Sequence, residues 1–182
     1  MILKILCAGS GGQGVLTLGN VLGNAAMFQG YHATYLPAYG AAMRGGTANC
    51  TVSIGDEEIA SPVASAPDLV VAMNQPSTVA FISRLVSGGQ LLYNSSIVDD
   101  VPFRGDIEMY PMPANDMARE MGNERSVNMI VLGGLVKLST ILSLDYVFES
   151  IEFLMGKKPA LAKASCAAVA KGYDFIDTNR DD

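Results

Sequence analysis

Cysteine, histidine and charge are all scarce in this 182-residue sequence, and each shortage excludes a class of function. The three cysteines, Cys7, Cys50 and Cys166, lie far apart and form no C-x-x-C pair, which excludes a disulfide framework. An iron–sulfur cluster usually takes a quartet of thiolates, and a zinc site takes a ligand set that the single His32 cannot complete. No such centre is expected on this chain, and His32 and the cysteines read as packed side chains rather than nucleophiles, since no acid or base is placed beside them in sequence. Charged residues make up 16% of the chain, against roughly 25% in an average soluble domain, while hydrophobic residues reach 49%; this composition excludes a disordered chain. Twelve basic and eighteen acidic residues give a net charge of -6, so no nucleic acid partner held by a basic surface is expected. No apolar run approaches the roughly 20 residues of a bilayer-spanning helix, and the opening M-I-L-K-I-L-C-A-G-S is too short in apolar residues for a secretory signal. A soluble cytoplasmic protein with no membrane partner is the expectation. The ten methionines and the low charge fit either a dense core or a surface covered by another subunit, and composition leaves both open.

The chain itself alternates strand and helix signals. Residues 2–8 predict a buried strand, followed by G-S-G-G-Q-G (9–14) and then by Val15, Leu18, Leu22 and Ala25 at helical spacing, with Gly30 able to end the helix in a left-handed conformation. A second strand is expected at 31–36, leading into P-A-Y-G-A-A-M-R-G-G (37–46), which is too broken by glycine for a regular helix and reads as a functional loop. In T-A-N-C-T-V-S-I (47–54), Cys50, Val52 and Ile54 alternate with Thr51 and Ser53 as in a half-exposed strand, and Gly55 with Asp56 can turn it into a hairpin. The apolar run 68–73 suits an inner strand, after which Asn74 and Pro76 can start a helix reaching Val86. Strands at 90–94 and 106–110 and helices at 114–121, 127–142, 144–155 (capped by Ser143) and 159–173 complete the pattern. Together these predict one α/β domain over residues 1–182: a single Rossmann-like domain with a mainly parallel sheet, helices on both faces and some antiparallel pairing.

Gly9, Gly11 and Gly14 satisfy G-x-G-x-x-G between a predicted strand and a predicted helix, the context that gives this weak pattern meaning. Such a turn lets backbone approach a phosphate and presents the amides of the following helix; the competing reading is a tight strand-to-helix packing with no ligand. A dinucleotide site would require a carboxylate about 20 residues further on, and none is there. Residues 1–55 hold no Asp or Glu at all, only Lys4 and Arg44, so this part carries +2 and the rest of the -6 chain carries -8. Excluding negative charge from these loops suits a phosphate-bearing ligand. Arg44, set among Tyr39, Gly40, Gly45 and Gly46, could grip a phosphate or carboxylate with its planar fork. Asn74 and Asn94 follow predicted strands and either line the crevice at the carboxyl edge of the sheet or serve as caps and turn residues.

Four segments in order carry a more specific signal: G-S-G-G-Q-G (9–14), L-P-A-Y-G-A-A-M-R-G-G-T-A-N-C (36–50), I-A-S-P (59–62) with D-L-V-V-A-M-N (68–74), and V-N-M-I-V-L-G (127–133). Together they resemble the gamma subunit of the 2-oxoacid:ferredoxin oxidoreductases, over nearly the whole chain. The resemblance implies a subunit of an enzyme acting on aldehyde or oxo donors, which decarboxylates a 2-oxoacid on thiamine diphosphate, passes electrons through iron–sulfur clusters to ferredoxin and releases an acyl-CoA. It implies thiamine diphosphate and clusters on the partner alpha, beta and ferredoxin-like subunits, and no activity for the lone chain. It also implies a shared coenzyme A site, with Gly9, Ser10, Gly11, Gly12, Gln13 and Gly14 as the anion loop and Tyr39, Gly40, Arg44, Gly45 and Gly46 facing ligand or partner. No residue of this chain is expected to be catalytic or to bind metal. A pure assembly module and an independent nucleotide- or flavin-binding oxidoreductase remain the alternatives.

Overall fold

The computed structural model describes residues 1–39 and 46–178. Its sheet grows outward from β1 (Ile2–Ser10), which pairs on one side with β3 (Thr47–Gly55) and on the other with β4 (Leu69–Ala72). Adding β2 (His32–Tyr39), β5 (Gln90–Asn94) and β6 (Glu108–Met112) gives the order β2-β3-β1-β4-β5-β6. From β1 to β6 the strands are parallel, while β3 is antiparallel to both of its neighbours. The mainly parallel α/β architecture read from the sequence is therefore present.

Period-two alternation assigns each strand residue to one of two cores. Ile5, Cys7, Leu69, Val71 and Leu92 face one side, where they meet Leu18, Leu22 and Ala25 of α1 (Val15–Phe28) and Ile130 of α4 (Val127–Ser139). Leu6, Ala8, Val70, Ala72 and Leu91 face the other, covered by Phe81 of α2 (Gln75–Phe81) and by Ile82 and Leu85 at and just after its 3-10 continuation, Ile82–Arg84. Helices do lie on both faces, but unequally. The thick side also holds α3 (Ala114–Glu120), α5 (Leu144–Met155) and α6 (Pro159–Thr178), with Ser143 capping α5 through the Asp145 amide at 3.2 Å. Burying each large aliphatic side chain of these cores contributes roughly 1.5–3 kcal/mol before the entropy of ordering it. Among the described residues no helix is long and apolar enough to cross a membrane.

Several sequence expectations are corrected. β3 is an inner strand between β2 and β1, so Thr51 and Ser53 are buried along with Cys50, Val52 and Ile54 rather than half-exposed. No hairpin forms at Gly55 and Asp56: β3 pairs back with β2 and β1, and the chain then crosses to β4 on the far side of β1. The antiparallel connection is instead the one from Tyr39 to Thr47, and β2 runs through Pro37–Tyr39, which the sequence assigned to the loop. Smaller shifts move β6 two residues later and end α4 at Ser139, with Thr140 at φ 54°. His32, expected to be packed, is exposed at the start of the edge strand β2.

Candidate functional site

The crevice forms where β1 and β4 end. Gly14 precedes α1 with φ 73°, a left-handed conformation that costs a non-glycine residue energy, and its carbonyl accepts from the Leu18 amide at 3.0 Å to close the first helical turn. The amides of Val15, Leu16 and Thr17 have no carbonyl within their own helix, and no acidic residue stands in that first turn. They add to the positive end of the α1 dipole.

Hydrogen bonds fix the turn from below. The Ser10 amide donates to Gln13 Oε1 at 2.7 Å, the Gln13 amide donates to the Ser10 carbonyl at 3.1 Å, and Gln13 Nε2 donates to the Met73 carbonyl at 3.3 Å. Asn74 Nδ2 donates to both Ser10 Oγ and Gln13 Oε1 at 2.8 Å, while Asn74 Oδ1 caps α2 by accepting from the Ser77 amide at 2.9 Å. From the opposite wall, Asn128 Nδ2 donates to the Gly14 carbonyl at 3.2 Å. The Gly11 amide donates to the Gly46 carbonyl at 3.0 Å, which ties the residue just before β3 to the glycine turn.

The expected site residues that are described each have a definite place. Gly9 is buried beneath the turn, where a side chain would collide with Gln13 and Val15. Ser10 and Gln13 spend their polar groups inside the protein, so Gln13 holds the turn in shape more than it offers a ligand contact. Gly11 anchors Gly46, and Gly12 and Gly14 face the cavity beside Gln13. Tyr39 is the last residue of β2, opposite Ala48. Gly40, Arg44 and Gly45 lie outside the described residues. Asn94 is buried and donates to Asn115 Oδ1 at 2.6 Å, so it shapes the wall instead of lining the space.

The cavity above the turn measures about 460 Å³ and is walled by Gly12–Gly14, Met73, Asn115, Glu124, Arg125, Val127 and Asn128. Glu124 and Arg125 come from a 3-10 turn, Glu124–Ser126, that leads into α4. Arg125 makes no ion pair among the described residues. It supplies, from the far half of the chain, the kind of cation that the sequence placed at Arg44. Glu124 corrects the expectation of a neighbourhood free of acids: one carboxylate reaches the rim. The crevice is nevertheless open, and amides of Asn115 and Asn128 supply neutral donors and acceptors across from the glycine turn.

Residues 4–175 match the sequence pattern of the pyruvate ferredoxin/flavodoxin oxidoreductase family. The chain belongs to that family. A curated relative within it, the ketoisovalerate oxidoreductase subunit VorA of Methanothermobacter thermautotrophicus, is 35% identical over 179 residues, covering 97% of this chain but 37% of its own length. The chain thus spans little more than a third of that relative. The gamma subunit of a keto/oxoacid ferredoxin oxidoreductase from Geobacter sulfurreducens shares the fold, with a TM-score of 0.83 at 24% identity over 97% of this chain and 99% of that one. The fold also recurs within the 2-oxoglutarate:ferredoxin oxidoreductase of Magnetococcus marinus, solved with 2-oxoglutarate, coenzyme A and succinyl-CoA bound. There the TM-score is 0.83 at 24% identity, over 97% of this chain and 30% of that chain.

Proposed function

We propose that this chain acts as the gamma subunit of a 2-oxoacid:ferredoxin oxidoreductase and that its glycine turn helps hold coenzyme A in a site closed together with sister subunits. The observation that carries this reading is the meeting of Gly12, Gly14 and Arg125, which makes no ion pair among the described residues, around one open cavity beside the start of α1. Coenzyme A carries a diphosphate and a further ribose phosphate, and backbone amides at a helix start together with a guanidinium are the groups that bind phosphate well. The Magnetococcus enzyme, which contains this fold, binds coenzyme A, and that supports the assignment by likeness. With three scattered cysteines, this chain leaves the iron–sulfur clusters to other subunits, and thiamine diphosphate belongs with them in the same reading. All three thiols are free, as suits a reducing cytoplasm.

The test is Arg125→Ala in the assembled enzyme, with the Michaelis constants for coenzyme A and for the 2-oxoacid measured side by side. Loss of a charge-assisted phosphate contact raises the first by about tenfold and leaves the second unchanged. Equal constants for the variant and the parent enzyme would remove Arg125 from the site. A second reading, a pure assembly module, draws on the internal saturation of Ser10 and Gln13. It predicts that Gly12→Val and Arg125→Ala change subunit recovery and leave coenzyme A kinetics alone.

A further inference from the structure

The turn joining α5 to α6 is the second feature of the molecule that its own core does not explain. Phe153, Leu154 and Leu161 are 68%, 37% and 47% exposed, and between them lies a groove of about 550 Å³. The Phe153 ring is held edge-on against Phe28, with centroids 5.5 Å apart, so it is positioned rather than loose. Lys157 and Lys158 line the same groove and Lys163 follows one turn later, so half of the six lysines of the chain fall within seven residues. No Asp or Glu occurs from Phe153 to Lys163, so this stretch carries +3 on a chain of net charge -6. Contiguous apolar exposure with a charged rim of one sign is the signature of an interaction surface.

The groove also runs into the crevice. A smaller cavity of about 180 Å³ touches Arg125 and Asn128 on one side and Met155 and Leu161 on the other, so the wall of the glycine-turn site continues into the floor of the apolar groove. A second copy of this chain is a poor occupant, because a twofold contact would set lysines against lysines. We propose that the groove docks an acidic, apolar-tipped segment of a sister subunit, with its carboxylates at Lys157 and Lys158 and its apolar side chains against Phe153 and Leu161. The docked segment then walls the outer side of the crevice. The inference rests on the gamma-subunit reading but not on coenzyme A.

The experiment isolates the complex through a tag on this chain and quantifies the identified oxidoreductase subunits that accompany it. Lysine acetylation and zero-length carbodiimide crosslinking are then read by mass spectrometry in the complex and in the lone chain. Docking predicts that Lys157 and Lys158 are protected from acetylation in the complex and crosslink to Asp or Glu of a sister subunit. The pair Lys157→Glu with Lys158→Glu, or Phe153→Ser with Leu161→Ser, lowers sister-subunit recovery by roughly tenfold. Phe103→Ser, at an 88% exposed residue elsewhere on the surface, does not. Circular dichroism identifies any variant that fails to fold. Full recovery with both lysines reversed, crosslinks only to a second copy, or lysines as reactive in the complex as in the lone chain would each overturn the proposal. So would protection of the lysines by phosphatidylserine vesicles in place of a subunit. If the unaltered chain recovers no sister subunit, the gamma-subunit reading itself fails, a result distinct from recovery with unprotected lysines.

Discussion

Gln13 and Asn74, separated by 61 positions in sequence, meet across the ends of β1 and β4, where Asn74 Nδ2 donates to Gln13 Oε1 at 2.8 Å. The same Gln13 oxygen accepts from the Ser10 backbone amide, and the Gln13 side-chain Nε2 donates to the Met73 carbonyl. Gln13→Glu keeps the first two contacts but turns an oxygen toward the Met73 carbonyl and adds negative charge below the proposed phosphate site. The expected result is lower thermal stability together with a higher Michaelis constant for coenzyme A. Asn74→Ala also loses the α2 cap and costs about 1–2 kcal/mol, measured by denaturant unfolding.

Where α4 crosses α6, two glycines let the backbones touch. A methyl group on Gly172 would sit 1.8 Å from the Ile130 carbonyl oxygen, and one on Gly133 would sit 1.9 Å from that of Val169. Backbone on both sides leaves nothing soft to move. Gly172→Ala should therefore destabilise the protein by roughly 1–3 kcal/mol or more, although alanine favours helices in isolation. An unchanged melting temperature would show that the helices separate without cost.

Cys7 and Cys50 face each other directly across the β1–β3 ladder, both fully buried. The hydrogen bond with Cys50, and burial after it, push the Cys7 thiol well above its ordinary value, so little thiolate forms near neutral pH. At Cys166, burial followed by the charge of Glu152 raises the thiol as well, but that side chain is half-exposed. Native-state alkylation with iodoacetamide should label Cys166 slowly and leave Cys7 and Cys50 unlabelled until the protein unfolds. Labelling of Cys7 in the native protein would contradict the packing of β1 against β3 and α1.

Arg104 joins the loop before β6 to the end of α2, donating to the Ile82 and Leu85 carbonyls at 2.9 and 3.0 Å and to Asp106 with both Nε and a terminal nitrogen. The hydrogen bond from Arg104 holds the Asp106 carboxyl below the usual carboxylate range. A carboxyl lowered on folding adds stability above its unfolded pKa of about 3.9 and loses it as pH falls through the lower folded value. Asp106→Asn should melt earlier than the parent protein at pH 7, and the difference should vanish in acid as the parent loses its ion pair. A gap that stays constant down to pH 2 would show that charge plays no part.

The first βα unit was legible because its information is local: an apolar run, a glycine pattern and a helical period follow one another in residues 2–28. β3 was not. Alternating Cys50-Thr51-Val52-Ser53 reads the same on an edge as inside a sheet, and only the pairing with both β1 and β2 decides that Ser53 is buried. The hairpin at Gly55 failed for the same reason, since a turn-compatible dipeptide does not say which strand comes back. In the site, Asn74 was legible as a cap, but its grip on Ser10 and Gln13 depends on β4 lying beside β1. Arg125 and Glu124 were missed because more than a hundred residues separate them from the glycine turn. Asn128, within the V-N-M-I-V-L-G segment, was the one nearby residue that carried a signal.

The central claim is that the glycine turn meets the phosphates of coenzyme A, and Gly12 tests it most directly. Gly12 has φ 94°, and a methyl group there would touch no described atom, so a side chain would strain the turn and cover its open face without disturbing the core. The measurement is the Michaelis constant for coenzyme A in an assembled enzyme carrying Gly12→Val, against the same constant for the 2-oxoacid. The account predicts a rise of about tenfold or more for coenzyme A alone, with subunit recovery intact. An unchanged constant for coenzyme A in a fully assembled Gly12→Val enzyme would contradict it.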